Sequence, residues 1–425
     1  MEPIGYLSWL DILVTEEQQF DVIVLGGTPA GMLAARELTK NGIKTKLLIQ
    51  TRNNDEYPPY ISIPENALKK MQLPFLEKSI LNKKKYSAFV ERISSLTRFI
   101  IEKKTAESDK TKQITFFDQQ KLAIIDYQAL KNFLLHLVNK TGVSSLSGKD
   151  WRIKKSETGY KVFFNSNEGS EIIFESKYII LSSLYPSEQW DGFSWEQKHS
   201  EVTLDFIIIP VILTDSVEII LDHSNSEKKY IIFLPLKNQT YVGIFHQTLP
   251  LEKIKLVLKS LLENNYGYKD TENVQILNSI PIPEIDYNKK LSEDKILLIG
   301  QAFGFANPLT FQSLINDIQS ALLASKAIIH HSEQKDKDFK IFVNNFYTDN
   351  LMLFPTIKKS NKECRLFLNE LSEDELLEFC SNLHLFDISC MTMFQNLKLR
   401  WFYKKNPKGD QFRQLMENYR LLRDW

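Results

Sequence analysis

The residues best suited to chemistry stand near the start of the chain, where the apolar run Val22–Leu25 meets Gly26-Gly27-Thr28-Pro29-Ala30-Gly31. A strand, a glycine-rich turn and a helix make a dinucleotide site because the helix N-terminus offers unpaired N–H groups and a positive dipole end to a pyrophosphate. Gly26 and Gly31 supply the first and third glycines of the G-x-G-x-x-G frame, and Thr28 takes the middle one, where a side chain crowds the phosphates unless it turns away. Gln50 follows the run Thr45–Ile49, where a carboxylate would hold the ribose hydroxyls. An amide can still hydrogen-bond a diol, with less strength.

Other candidates are dispersed. His246 follows Val242-Gly243-Ile244 and could face a cavity as an acid or base, while Lys83, Lys84 and Lys85 form a charge run. Glu65, Asp205 and Glu218 are isolated carboxylates. Cys364, Cys380 and Cys390 fit neither a CxxC pattern nor an even-numbered disulfide framework, which points to a reducing cytoplasm. No His, Asp and Glu set has metal-ligand spacing, and no serine sits in a nucleophile elbow, so no metal is expected.

The elements that must position these groups follow from periodicity. Met32–Lys40 reads as a helix ending at Asn41-Gly42, which with the flanking apolar runs makes a βαβ opening. Tyr86–Glu102 alternates as strands do, and Lys104–Lys112 reads as a solvated connector. Tyr127–Lys140 is an amphipathic helix with Asp126 as its N-cap. Trp151–Lys154, Tyr160–Phe164, Glu171–Phe174 and Tyr178–Leu181 read as a β-meander, and Glu201–Leu213, Val217–Leu221, Lys229–Leu234 and Thr240–Phe245 as four further strands. Glu252–Asn264 is a helix, Lys295–Ile299 a buried strand, and Phe311–His330 a helix; beyond Lys337 helical patterning dominates.

The chain has 425 residues, 43% hydrophobic and 25% charged, enough for two or three domains. Lys+Arg and Asp+Glu both number 53, so there is no overall basic field for nucleic acid. The longest apolar runs, such as Ile207–Leu213, fall far short of the ~20 residues that span a bilayer. Acidic residues in the first seventeen positions argue against a signal peptide.

Asp21-Val22-Ile23-Val24-Leu25-Gly26-Gly27-Thr28-Pro29-Ala30-Gly31-Met32 resembles the N-terminal FAD fingerprint of the flavoprotein superfamily that includes aromatic hydroxylases, geranylgeranyl reductases, lycopene cyclases and flavin-dependent halogenases. Gly300-Gln301-Ala302-Phe303-Gly304-Phe305-Ala306-Asn307-Pro308-Leu309-Thr310 resembles the superfamily's second FAD motif, with Gln301 where an aspartate bonds the ribityl chain. Ser176–Ser183 is similar to the strand that normally ends Ala-Asp-Gly, with Ser182-Ser183-Leu184 in its place. Lys229-Tyr230-Ile231-Ile232-Phe233-Leu234-Pro235 and Tyr241-Val242-Gly243-Ile244 are similar to a strand pair that lines the substrate cavity in the reductases, cyclases and halogenases.

This resemblance, which covers roughly residues 21 to 330, implies an α/β architecture: a Rossmann-type FAD-binding fold, a mixed β-sheet substrate domain and a helical C-terminal region. A leader is expected over 1–20, the FAD-binding-like domain over 21–90, 120–185 and 286–330, the substrate domain over 91–119 and 186–285, and the helical region over 331–425. FAD would be held by Gly26, Gly27, Thr28, Ala30, Gly31, Gln50, Gly300, Gln301, Gly304, Pro308, Leu309 and Thr310. Tyr230, Ile232, Leu234, Pro235, His246 and Phe311 would line the cavity. The implied function is an FAD-dependent oxidoreductase, or a redox-neutral flavoenzyme, acting on an isoprenoid, polyene-like or aromatic substrate. Thr28, Gln50, Ser183 and Gln301, each substituted at a cofactor-facing place, keep an alternative open: a cofactor-free binding or scaffold module on the same fold. A cytoplasmic protein is expected, and the tail Trp401-Phe402-Tyr403-Lys404-Lys405 could seat on the inner membrane surface or on a protein partner.

Overall fold

The computed structural model describes residues 18–51, 58–64, 88–94, 97–104, 111–118, 122–183, 199–222, 229–247, 249–270, 276, 278–283, 292–303, 314–348, 404 and 409–410. In chain order the elements open with β1 (Gln18–Leu25), α1 (Pro29–Lys40), β2 (Thr45–Gln50), β3 (Tyr60–Pro64), β4 (Val90–Ser94), β5 (Thr97–Lys104), β6 (Thr111–Asp118), β7 (Leu122–Asp126) and α2 (Tyr127–Lys140). Next come β8 (Ser144–Lys155), β9 (Tyr160–Ser166), β10 (Glu171–Leu181), β11 (His199–Ile209), β12 (Val217–Asp222), β13 (Lys229–Pro235) and β14 (Thr240–Gln247). The remainder is α3 (Leu251–Tyr266), β15 (Asn278–Pro283), β16 (Ser292–Glu293), β17 (Ile296–Leu298), α4 (Gly300–Phe303), α5 (Leu314–Glu333), α6 (Phe339–Phe342) and a π-helical turn (Val343–Thr348).

The first sheet has a parallel core in the order β8-β2-β1-β10-β17. Val22–Leu25, Leu47, Leu48, Ile179–Leu181 and Ile296–Leu298 are all fully buried, as expected of strands covered on both faces. β8 and β10 run on past this core and pair antiparallel with β9, which closes the meander. The two runs expected at Glu171–Phe174 and Tyr178–Leu181 are therefore one strand, β10: its first half pairs with β9, while from Phe174 to Leu181 it lies beside β1.

The second sheet, β15-β11-β14-β13-β12-β5-β6, is mixed, because β12 lies parallel to β5 and its other pairings are antiparallel. The sequence did not predict β6, whose first residues fall in the stretch read as a connector. β3, β7 and β4 form a third, small sheet, so the segments 21–90 and 120–185 contribute to two sheets. The helical pattern from Phe311 forms a helix from Leu314, and the C-terminal region beyond residue 348 lies almost wholly outside the described residues.

Alternation along the second sheet separates two buried faces. Ile231, Phe233, Val242 and Ile244 pack with Ile254, Leu258, Leu261 and Leu262 of α3. Ile232, Leu234, Tyr241 and Phe245 pack with Leu204, Phe206 and, from the small sheet, Ile124. No helix among the described residues is long and apolar enough to cross a membrane.

The helices that carry the glycine turn are held by small side chains. Ala34 and Ala35 of α1 and Ala321 and Ala324 of α5 are fully buried, and the Ser325 hydroxyl donates to the Ala321 carbonyl while lying 3.4 Å from that of Ala34. Such a contact has no room for a branched residue. Ala321→Leu should lower unfolding stability by about 1–3 kcal/mol in urea denaturation; an unchanged midpoint would mean that the helices are not closely packed there.

Candidate functional site

The carboxyl ends of β1, β2, β10 and β17 bring Gly26, Gln50, Ser182, Ser183 and Gly300 to one edge of the parallel sheet, the edge at which ligands bind in open α/β folds. At its centre, β1 turns directly into α1. Gly26 has φ +113°, a conformation that L side chains rarely adopt. A Cβ there would lie 2.6 Å from Ser182 Oγ and 2.7 Å from Ser183 Oγ. A Cβ on Gly31 would lie 2.3 Å from the Gly26 carbonyl oxygen, and one on Gly27 would lie 2.6 Å from Ile49 Cγ2. The glycines thus let helix, turn and sheet meet backbone to backbone. The Ser182 hydroxyl fixes the arrangement from β10, lying 3.0 and 3.1 Å from the carbonyl oxygens of Gly26 and Leu25.

Thr28 is the N-cap of α1, with φ −78° and ψ 161°; its Oγ1 accepts from the Gly31 amide at 3.2 Å and lies 3.5 Å from the Ser182 carbonyl. The side chain is turned inward and buried, so it leaves the outer lip of the turn to the backbone. The crowding expected of a threonine at the middle position is relieved in this way. Pro29 at the first helical position has no N–H to offer, and the Gly31 amide is taken by Thr28. The amides of Gly27, Thr28 and Ala30 have no hydrogen-bond partner among the described residues.

Gln50 is half-buried at the end of β2, and its Nε2 donates to the Lys149 carbonyl at 2.9 Å, which leaves Oε1 as its acceptor. Ser183 is 9% exposed, and its hydroxyl is buried beside Gly26 without a hydrogen-bond partner among the described residues. On the β17 side, Gly300 has φ +55°, donates its amide to Ser320 Oγ at 3.0 Å, and would place a Cβ 3.0 Å from that of Ala30. Gln301, 6% exposed, follows it in α4. The two turns expected to share a ligand are therefore in contact. Gly304, Pro308, Leu309, Thr310 and Phe311 lie outside the described residues, as do Glu65, the lysines Lys83 to Lys85 and all three cysteines.

The expected cavity residues do not all share a face. Ile232 and Leu234 are buried toward the small sheet, where Tyr60 meets Tyr241 with ring centroids 5.8 Å apart. Pro235 ends β13 opposite Thr240, and Tyr230 stands at its start opposite Phe245. His246 belongs to the opposite face. Its Nε2 is 2.9 Å from Asp205 Oδ2, and its Nδ1 accepts from the Leu249 amide that leads into α3. The placement of His246 in the cavity is corrected accordingly: β-alternation sends it with Val242 and Ile244 under the helix, and both ring nitrogens are engaged there. Asp205 also accepts from Ser279, and Glu218 accepts from Thr214 and Tyr266, so both carboxylates tie elements together. Among the described residues, no group of three or more His, Cys, Asp or Glu could hold a metal ion. Tyr241, which the sequence placed in the strand pair without naming it among the cavity residues, lies on the face of Ile232 and Leu234.

The described geometry tests the fit of an FAD. A cradle closed to any Cβ, two unpartnered turn amides at the N-terminus of a twelve-residue helix, and an orphaned hydroxyl on Ser183 suit a pyrophosphate and its neighbouring oxygens. The fit lacks a carboxylate for the ribose.

The chain has the fold of the FAD-binding Rossmann-type flavoproteins. A geranylgeranyl bacteriochlorophyll reductase-like protein from Thermoplasma acidophilum superposes with a TM-score of 0.71 at 17% identity, covering 96% of this chain and 100% of the other. The halogenase PltM superposes at 0.67 and 16%, covering 95% and 90%. The flavin-dependent brominase Bmp2 superposes at 0.59 and 13%, covering 94% of each chain. In sequence, the chain is 22% identical over 362 residues to a digeranylgeranylglycerophospholipid reductase of Methanococcus vannielii, which spans 77% of this chain and 85% of the relative. No protein-family model matches the chain.

Because Gly31 is the point of closest approach, Gly31→Ala should separate α1 from the turn. A loss of about 1–3 kcal/mol in chemical denaturation is expected; a variant as stable as the wild type would show that the helix has room to spare.

Proposed function

We propose that this protein binds FAD and acts as an oxidoreductase on a small hydrophobic substrate. The observation that carries the proposal is the turn itself: Thr28 caps α1 from the inside, and the Gly27 and Thr28 amides remain available at the carboxyl edge of the sheet. In this reading those amides and the positive end of α1 bind the pyrophosphate, Gln50 Oε1 accepts from the adenosine ribose, and Gly300 with Gln301 lies on the flavin side. When bound, FAD supplies the electron or hydride transfer, for which the described residues hold no side-chain cluster. The likeness to flavin-dependent enzymes supports this use of the fold, and the match to a reductase named for a digeranylgeranyl lipid supports an apolar, isoprenoid-like substrate.

The protein's own share of the work is to bind, orient and keep water out. Ile232, Leu234, Phe206 and Phe245, buried toward the small sheet, make an apolar and aromatic wall whose chemistry suits a polyene or an aromatic skeleton. A substrate of that kind partitions into lipid, so the proposal includes a peripheral seat at a membrane surface.

Two measurements address the cofactor. Purified protein incubated with FAD and passed through gel filtration should carry the visible absorbance of oxidised flavin. Protein that remains colourless would overturn the proposal in favour of a cofactor-free binding module.

The second concerns Ser183. Removing its orphaned hydroxyl by Ser183→Ala should leave the apoprotein at least as stable. FAD affinity in a fluorescence titration should fall by about tenfold, equivalent to ~1.4 kcal/mol. Unchanged affinity would remove Ser183 from the cofactor site.

A further inference from the structure

Tyr241 is 1% exposed at the second residue of β14, and its hydroxyl is buried with no hydrogen-bond partner among the described residues. Burial pushes its pKa far above the usual tyrosine value, so the oxygen keeps its proton. Other tyrosines of the chain show how such a group is normally treated. The Tyr160 hydroxyl accepts from the Lys295 amide, that of Tyr178 meets His331 Nδ1, and that of Tyr266 donates to Glu218. A buried hydroxyl without a partner costs about 1–3 kcal/mol, and a phenylalanine would fill nearly the same volume without that cost. The neighbouring Phe206 and Phe245 do so on the same face.

The surroundings give the hydroxyl a direction of use. Tyr241 packs against Tyr60 at 5.8 Å and Phe206 at 5.6 Å between ring centroids, on the face that carries Ile232 and Leu234. Tyr60 is half-buried, so the aromatic cluster reaches the surface beside Tyr241. We infer that Tyr241 is a specificity-determining residue: its O–H donates to an oxygen acceptor on an otherwise apolar substrate held against this face. The inference deepens the proposed function and rests on that reading for the substrate's hydrophobic character. A ligand with a hydroxyl, ether or carbonyl oxygen completes the donor, and a pure hydrocarbon leaves it unmet. Sites built around a buried donor discriminate strongly against analogues lacking the acceptor.

The test uses the full chain incubated with FAD, with geranylgeraniol and the corresponding hydrocarbon lacking the hydroxyl as probes, each measured by displacement of an apolar fluorescent dye. Wild-type protein should bind the alcohol at least about tenfold more tightly than the hydrocarbon, and Tyr241→Phe should erase that preference without lowering the melting temperature. A variant that keeps the preference overturns the inference, as does a wild type that binds neither probe. Loss of FAD affinity in Tyr241→Phe with the preference intact would assign the hydroxyl to the cofactor and likewise overturn it. Flavin uptake is read separately by absorbance. Yellow protein without the alcohol preference defeats the Tyr241 assignment alone. Colourless protein defeats the flavoenzyme reading, and the comparison of the two probes still decides the role of Tyr241.

Discussion

The close approach of α1 to the carboxyl edge of the parallel sheet is the constraint on which the site depends. Gly31 lies so near the Gly26 carbonyl that a single added carbon would collide with it, and Ser182 closes the remaining space from the neighbouring strand. This packing sets where the helix N-terminus points, and therefore where an anion would sit. It also explains how a threonine is accommodated at the centre of the glycine frame: once the helix is this close, the Thr28 hydroxyl finds the Gly31 amide and is drawn inward. The substitution exchanges a bare backbone for a capped helix and leaves the lip of the turn unchanged.

The second organising feature is the two-sidedness of the mixed sheet. Polar groups on its α3 face are paired with one another, as in Asp205 with His246 and Glu218 with Tyr266, and they fasten strands to the helix. The opposite face is apolar and aromatic, and the Tyr241 hydroxyl stands out on it. Satisfied polar groups hold structure together, whereas an unsatisfied one in an apolar wall calls for a separate explanation. That contrast shifts functional attention from His246 to Tyr241.

Much of this was legible in the chain. The apolar runs Val22–Leu25 and Lys295–Ile299 identified strands of one sheet, because segments buried on both faces carry no polar interruption. Asp126 as an N-cap followed from its place before an amphipathic run, and its carboxylate does accept from the Ala129 amide at 2.8 Å. The resemblance to flavoproteins gave the order of the two ligand turns. What the sequence could not give were facts of register and side-chain direction. His246 and Tyr241 lie five positions apart on one strand, and which of them faces the small sheet depends on where the second sheet places its covering helix. The inward turn of Thr28 likewise depends on Ser182, which is remote in sequence. The unity of β10 was hidden because Glu175, Ser176 and Lys177 interrupt its apolar pattern, although Glu175 and Lys177 engage Lys161 and Asp21 in ion pairs at the sheet's margin.

The most direct test is a crystal structure of the protein grown with FAD. The pyrophosphate should lie within hydrogen-bonding distance of the Gly27 and Thr28 amides, with the Thr28 hydroxyl still accepting from Gly31. A pyrophosphate bound elsewhere, or a Thr28 side chain swung out to make room for it, would contradict this role of the α1 turn.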